Sequence, residues 1–254
     1  MKCQETGSAA LFKNPRARHE VKNAMTDELV KVAEDSARGS FFLISGTALA
    51  TAILAIASIV IGRVLGPELY GQYTLALVVP QLFFLFTDLG INQGIIRFTA
   101  SLRAKGETNR VTEIIQHGLV LKASAGIAIF IMNYTFADFF ASFFLQRPDL
   151  AFYIRIASTA ILFQVIFITV ISAFIGLDKT EYSALSRNIH AIAHSIISIT
   201  LVLLGLSVAG AIVGYVASYV AAAFAGLSWI SSEHTTVLPK AILPPGLTIS
   251  SVSR

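Results

Sequence analysis

The chain has 254 residues, of which 55% are hydrophobic and only 13% are charged, and its mean hydropathy is +0.71. Soluble domains carry about 25% charged residues, so this composition indicates an integral membrane protein. The net charge of +4 does not indicate nucleic-acid binding, because the basic residues stand between apolar runs rather than along one face. The single cysteine, Cys3, excludes a disulfide framework and a cysteine-based metal site within the chain.

The polar N-terminal segment covers residues 1–38, and no secretory signal is apparent because the first apolar run begins only at Phe41. Met25 is a plausible alternative start. Residues 25–38 place apolar side chains at helical spacing among charged ones, which predicts a short amphipathic helix at the membrane surface. A solvated leader that frays is the alternative. We expect the whole segment to be cytoplasmic.

Apolar runs dominate the rest of the chain, and a helix needs about 20 apolar residues to cross the hydrocarbon core. Six stretches qualify: residues 41–64, 72–97, 113–134, 150–175, 185–206 and 208–230. They predict an all-α integral membrane protein in which residues 39–231 form one bundle of six transmembrane helices. The polar, proline-containing residues 232–254 are expected to form a disordered cytoplasmic tail.

The second predicted span carries unusual residues for a membrane helix. A tight turn at Gly66-Pro67 precedes it, and the span contains Pro80, Asp88 and Gly90. Proline and glycine let a helix bend, and a carboxylate inside an apolar span is costly unless a partner compensates it. This span therefore predicts a functional membrane protein with a polar interior rather than a simple hydrophobic anchor.

Two connections also have interpretable patterns. Residues 135–150 carry five phenylalanines on one helical face and then Pro148, which predicts an interfacial helix at the outer leaflet; continuation of a long third helix is the alternative. The tight link between Gly205 and Gly210 predicts an antiparallel hairpin of the last two spans. The Gly210/Gly214 spacing permits close helix contact, which we assign to packing within one bundle rather than to dimerisation.

Lysine and arginine set the orientation. With the N-terminus inside, most of them fall in cytoplasmic segments, and the external side holds only Arg63 and Arg147, with Arg155 close to it. This positive-inside bias predicts a multi-pass protein of the cell (plasma) membrane with both termini in the cytoplasm.

Motifs of soluble enzymes are missing: the sequence has no P-loop, dinucleotide fingerprint, HExxH or GxSxG. We therefore predict that the chain is not an enzyme and needs no cofactor. His190 and His194 have a spacing that can bind a metal, but no acid or cysteine accompanies them. Hydrogen-bonding or headgroup-facing histidines are favoured, and no metal site is predicted.

Ionisable residues inside spans are the candidate functional groups. Asp88 lies nine residues before Arg97, about 13 Å deep at the helical rise, and Lys122 lies about as deep in the third span. Because a short cytoplasmic loop joins these two spans, we predict that Asp88 and Lys122 pair. The pair acts either as an interhelical brace or as a proton- or ion-linked gate.

Lys122 and three further candidates, Arg155, Arg63 and Gln164, could line a cavity for phosphate. Arg155 lies inside the fourth span, and Arg63 closes the first span on the same side. Guanidinium groups bind oxyanions bidentately, although both could instead reach the outer headgroups, which for Arg63 is the favoured interpretation. Gln164 and Asn92, with Gln93, add uncharged hydrogen-bonding capacity within the spans.

Two motifs resemble a known family. They are R-x-L-G-P-E-x-Y-G-x-Y at residues 63–73, and F-T-D-L-G-I-N followed by a basic residue at 86–97. A later G-L-D-K-T-E-Y at 176–182 is supportive. Residues from about 30 to about 230 are similar to oligosaccharide flippases, the polysaccharide-biosynthesis exporters of the multidrug/oligosaccharidyl-lipid/polysaccharide (MOP) superfamily.

This resemblance implies a flippase that moves a polyisoprenyl-(pyro)phosphate-linked glycan to the outer leaflet by alternating access. Family members have two six-helix bundles around a basic cavity, whereas this chain has spans for the first bundle only. The expected partners are the lipid-linked oligosaccharide, membrane lipids, and either a second half-bundle or a homodimer partner; a truncated or frameshifted reading frame, or a fragment, is the alternative. A cation-coupled exporter of the same superfamily, a membrane glycosyl- or phosphotransferase and a non-transporting scaffold are the competing functions.

Overall fold

The computed structural model describes residues 15–233, and these residues are helical apart from short connections. Six long helices follow one another: α1 Pro15–Phe84, α2 Ile91–Ala104, α3 Thr108–Thr135, α4 Ala151–Gly176, α5 Thr180–Leu201 and α6 Ser207–Glu233. The predicted all-α class is confirmed. The tail predicted over 232–254 lies outside the described residues beyond Glu233.

The chain divides into two units after Phe42. As far as it is described, the first unit is the N-terminal part of α1, which has exposed apolar side chains such as Val30 and Phe41. The helix predicted over 25–38 lies within this part. Its placement at a membrane surface stays a prediction. The second unit, from Leu43 onwards, contains the bundle.

Helix α1 folds back on itself at Gly66, where φ is 76° and ψ is 170°. These dihedral angles are essentially restricted to glycine. The hydroxyls of Ser58 and Tyr70 are 2.6 Å apart, although twelve residues of straight helix would separate them by about 18 Å. The predicted Gly66-Pro67 turn is confirmed.

Four stretches of the described residues are long and apolar enough to cross a membrane: Ala37–Thr87, Asn109–Thr135, Pro148–Gly176 and Thr180–Ile230. The first and the last have 51 residues each, which is enough for two crossings. Each contains one glycine turn, at Gly66 and at Gly205. Six crossings in one bundle therefore fit the structure.

The second predicted span is not one continuous helix, and this part of the prediction is wrong. Helix α1 ends at Phe84, a 3-10 turn covers Leu85–Thr87, and α2 begins at Ile91. The two segments on either side of this break nevertheless run in the same direction along α4, from its start near Leu150 to its end near Leu177. Val79 packs against Leu150 at one end, and Arg103 bonds to the main-chain oxygen of Leu177 at the other.

Helix α4 lies at the centre of the bundle, where it contacts α2, α3, α5 and α6. Its apolar residues are buried in three directions. Ala157 packs in a core cluster with Tyr73 of α1 and Ile212 of α6, and Phe174 packs with Val111 of α3. The surrounding helices are therefore fixed relative to one another through α4.

The last two helices form the predicted antiparallel hairpin. The chain reverses at Gly205 (φ 88°) and Ser207 (φ 48°). A Cβ added at Gly214 would lie 2.5 Å from Cα of Ser198 on α5, closer than real Cβ atoms approach. Glycine at this position therefore serves packing within the bundle, which confirms that part of the prediction.

The phenylalanine-rich connection is separate from α3, which ends at Thr135, so the alternative of one longer third helix is wrong. A short helix at Ala137–Phe139 leads into a π-helical turn at Phe140–Phe144. Phe140 is buried, with its ring centroid 5.0 Å from that of Phe83. The other four phenylalanines are at least 50% exposed. This pattern agrees with an interfacial segment anchored by one ring.

Candidate functional site

The break in the second predicted span forms the centre of the candidate site. After the 3-10 turn, Leu89 and Gly90 adopt positive φ angles of 32° and 85°. The Ile91 N–H then donates to the main-chain oxygen of Asp88 at 2.6 Å, and α2 starts. A positive φ at leucine is uncommon because its Cβ crowds the backbone. The chain accepts this conformation where it exposes the N-terminus of a new helix.

Asp88 caps that new N-terminus. Its Oδ1 accepts a hydrogen bond from the Asn92 N–H at 3.2 Å. The first N–H groups of a helix have no intrahelical acceptor, and the helix dipole favours a negative charge there. The carboxylate therefore compensates backbone groups that the break would otherwise leave without partners.

Lys122 of α3 completes the constellation. Its Nζ lies 3.3 Å from Oδ1 of Asp88 and donates to Oδ1 of Asn92 at 2.9 Å. The Lys122 side chain is 0% exposed, whereas that of Asp88 is 44% exposed. The predicted contact between Asp88 and Lys122 is confirmed. Asn92, which the sequence identified only as a general hydrogen-bonding residue, is the third member.

Local packing explains how α2 and α3 bring these groups together. A short connection after Ala104 joins the helices. One turn before Lys122, a Cβ added at Gly118 would lie 2.6 Å from Cδ1 of Ile95. Glycine thus lets α3 approach α2 closely enough for the buried lysine to reach across. Its ammonium group has three donors and two oxygen acceptors here, and Asp88 is its only counter-charge among the described residues.

The other predicted bases have separate surroundings. Arg155 pairs with Asp138 of the phenylalanine-rich connection. Arg63 is exposed and has no ion pair with another described residue, and Gln164 is buried in α4. No hydrogen bond or ion pair in the described part of the chain joins any of them to Lys122. Of the predicted candidates in the described residues, hydrogen bonds and ion pairs therefore join only Asp88, Lys122 and Asn92.

A second polar cluster, which the sequence did not predict, lies between α5 and α6. The rings of His190 and Tyr219 are 4.2 Å apart, and those of His194 and Tyr215 are 5.8 Å apart. Gln81 of α1 donates to the Tyr215 hydroxyl. Both histidines are buried, so they do not face headgroups.

The two histidines are held by aromatic and hydroxyl partners rather than by acids. The Ser198 hydroxyl lies 3.1 Å from Nδ1 of His194, and Nε2 of His190 has no hydrogen-bond partner among the described residues. Within residues 15–233, no group of three histidine, cysteine or acidic side chains could hold a metal. The sequence did contain a signal for this cluster. In each pair, the histidine and the tyrosine lie at almost the same sequence distance from the Gly205 turn.

Comparison with known proteins places the chain in a family. The family model described as polysaccharide biosynthesis protein matches residues 36–250. The match includes most of the 232–254 segment, which the sequence analysis set outside the family resemblance; that boundary is corrected. No curated protein matched the chain.

Two solved structures share the fold. One is described as the outward-facing conformation of a multidrug resistance MATE family transporter of the MOP superfamily, with 16% identity and a TM-score of 0.64. The other is MATE in the straight conformation, with 17% identity and a TM-score of 0.67. Each match covers 74% of this chain and 44% of the other chain, so this chain spans less than half the length of these transporters. The chain belongs to the polysaccharide biosynthesis protein family and has the fold of one half of a MOP-superfamily transporter.

Proposed function

We propose that this chain forms one bundle of a transporter that moves a polyisoprenyl-phosphate-linked oligosaccharide from the cytoplasmic to the outer leaflet. The family match over residues 36–250 carries this proposal. The fold supports it, because a six-crossing bundle that covers 44% of a two-bundle transporter is suited to pair with a second bundle.

The Asp88–Lys122–Asn92 constellation is proposed as the gate of this bundle. A fully buried ammonium group needs a counter-charge, and Asp88 provides the one available among the described residues. Because Asp88 is partly exposed, a proton or a cation can reach and neutralise it. The Lys122 ammonium group then has no counter-charge. The second span can bend at the break at residues 85–90, and this bend would expose Lys122.

A lipid phosphate is the natural replacement for that carboxylate. Its oxygens accept hydrogen bonds from an ammonium group as a carboxylate does. In this scheme Arg63 and Arg155 attract the phosphate at the opposite end of the bundle, with Gln164 contributing hydrogen bonds inside it. Release of the phosphate restores the Asp88–Lys122 pair, so the substrate and Asp88 compete for one buried cation.

The orientation follows from the positive-inside bias: the protein lies in the plasma membrane with both termini in the cytoplasm. In this orientation the loop between α2 and α3 faces the cytoplasm. The Asp88–Lys122 pair then lies between that loop and the bundle centre. A gate at this position separates the cytoplasmic entrance from the rest of the path.

The function is tested by reconstitution. Vesicles containing the full chain are loaded with a fluorescent polyisoprenyl-pyrophosphate oligosaccharide, and its appearance in the other leaflet is measured with a membrane-impermeant quencher. These 254 residues are tested alone and together with the C-terminal half of a family member, and both forms are also tested for complementation of a flippase-deficient strain. Translocation above that of empty vesicles in either form supports the proposal. Failure in both assays and both forms overturns it.

The gate is tested separately within the same assay. Asp88→Asn with Lys122 intact is expected to reduce translocation at least tenfold. The matched control, Asp149→Asn, also removes a carboxylate that pairs with a base, Arg147, but at the other end of the bundle and outside the proposed phosphate path. Unchanged translocation by Asp88→Asn would reduce the pair to an interhelical brace while leaving the flippase assignment intact.

A further inference from the structure

A groove between α2 and α3 is not used by the proposed gate. It has a volume of about 390 Å³ and is shallow and open along one side. Gly94 and Phe98 line it from α2, and His117, Gly118 and Leu121 line it from α3. Phe98 and Leu121 are more than half exposed, so the walls of the groove project away from the bundle core.

The shape of this groove matches a single hydrocarbon chain. A volume of 390 Å³ holds on the order of a dozen methylene groups, if each occupies about the 30 Å³ that a water molecule takes in the liquid. The floor is already closed by the contact between Ile95 and Gly118.

One end of the groove is basic. Lys105 follows Phe98 by seven residues and Arg110 precedes His117 by seven, so both lie in line with the groove at helical spacing. Both are exposed. Arg110 pairs with Glu107 at 3.1 Å, while the Lys105 ammonium has no partner among the described residues. The His117 Nδ1–H donates to the Glu113 carbonyl at 2.6 Å, which leaves Nε2 available.

We propose that this groove is a binding site for one anionic phospholipid of the bilayer, with one acyl chain between α2 and α3 and the phosphate at Lys105 and Arg110. In the predicted orientation this end faces the cytoplasmic leaflet, which carries the anionic lipids of a membrane. The acyl chain gains little from the groove itself, because it leaves a similarly apolar environment. Preference for this lipid therefore comes from the headgroup contacts.

Two basic residues near the membrane surface would prefer an anionic over a zwitterionic headgroup by about thirtyfold. Glu107, which pairs with Arg110, offsets part of this charge, so we expect a preference of about tenfold. The proposal does not depend on transport, since it concerns a lipid held on the outside of the bundle. It commits to a bilayer phospholipid rather than to the polyisoprenyl carrier. The two differ in a way that competition can measure.

Photolabelling of the full chain in nanodiscs tests the proposal. The probe is phosphatidylglycerol with a diazirine on one acyl chain, and labelled peptides are identified by mass spectrometry. We expect labels on residues 91–98 and 114–121, about tenfold more than with the matching phosphatidylcholine probe. Lys105→Gln with Arg110→Gln should remove this preference without removing the label from phosphatidylcholine.

A filling variant provides the structural control. A Cβ added at Gly94 meets no atom of the described residues within 4 Å, so the Gly94→Leu side chain starts in open space and extends into the groove. Gly71 is also helical with nothing within 4 Å of an added Cβ, and it lies in α1 away from the groove lining. Gly94→Leu is expected to reduce labelling at least fivefold, and Gly71→Leu to leave it unchanged.

Three results would overturn the proposal. One is equal labelling of the groove by phosphatidylglycerol and phosphatidylcholine in the wild-type chain. Another is undiminished labelling of the same peptides in Gly94→Leu while that variant keeps its helical content and thermal stability. The third is displacement of the phosphatidylglycerol label by a few molar equivalents of polyisoprenyl phosphate, which would assign the groove to the carrier chain.

Discussion

The unequal burial of Asp88 and Lys122 leads to a prediction about stability. The lysine is 0% exposed and the aspartate 44% exposed, so the two charges do not depend on each other equally. Asp88→Asn leaves a buried ammonium group with amide acceptors only. Lys122→Met leaves a carboxylate that is only partly buried and that still caps α2 through the Asn92 N–H.

The magnitudes follow from this asymmetry. Removing one partner of a fully buried pair costs about 3–5 kcal/mol, and an exposed pair contributes about 0.2–1 kcal/mol. Because Asp88 is partly exposed and Asn can still accept a hydrogen bond, we expect Asp88→Asn to cost about 2–3 kcal/mol. Lys122→Met is expected to cost less than about 1 kcal/mol. The double variant should resemble Lys122→Met, since it contains no uncompensated buried charge.

A double-mutant cycle measures these terms. The free energy of unfolding of the full chain is determined in detergent micelles for the wild type, both single variants and the double variant. A coupling energy of about 2 kcal/mol, or roughly thirtyfold in the unfolding equilibrium, is expected. The reasoning would be refuted if Lys122→Met destabilised the chain as much as Asp88→Asn, or if the two effects simply added.

Three further predictions concern the turn, the hairpin and the orientation. Gly66→Ala should lower the free energy of unfolding by about 1–3 kcal/mol, because alanine disfavours the backbone angles at this turn. An added Cβ meets no described atom within 4 Å, so the cost arises from the backbone alone; an unchanged melting temperature would contradict this. Gly214→Ala should cost about 2 kcal/mol by pushing its Cβ into the Ser198 backbone, and chemical denaturation in micelles would refute this by showing a neutral effect. In a cysteine-free background, Arg63→Cys should react with an impermeant thiol reagent on intact cells and Lys105→Cys only after permeabilisation; the reverse pattern would invert the topology.

The Asp88–Lys122 contact could be predicted from the sequence, because it depends only on how deep each residue lies in the membrane and on which spans are adjacent. Two adjacent antiparallel spans with a short loop place residues at equal distance from that loop side by side. The contribution of Asn92 was not accessible in this way. It depends on the start of α2 at Ile91, and therefore on the break after Phe84.

That break explains the main difference between the predicted and observed second span. Hydropathy continues through residues 72–97, and Gly90 alone does not distinguish a bend from a full interruption. The positive φ of Leu89 has no signal in residue type, since leucine disfavours it. The conformation is stabilised by the local bond between Asp88 and the Asn92 N–H and by the tertiary contact between Asp88 and Lys122.

The histidines show the opposite case, in which the information was present but incomplete. Their spacing suggested a shared face, and the Gly205 hairpin predicted that α5 and α6 are neighbours. Combining the two would have placed His190 near Tyr219 and His194 near Tyr215. What the sequence did not provide is the burial of this cluster, which depends on Phe167 of α4 packing against His190.

The distance between Asp88 and Lys122 along the chain has a consequence for biogenesis. The two residues are 34 positions apart, so at about 5–20 residues per second the ribosome adds the lysine roughly 2–7 seconds after the aspartate. During that interval the carboxylate has no counter-charge, and a lone charge at mid-membrane costs about 2.5–3.5 kcal/mol to insert. We therefore expect the translocon to retain the second span until the third arrives. The two would then leave for the lipid together, already paired.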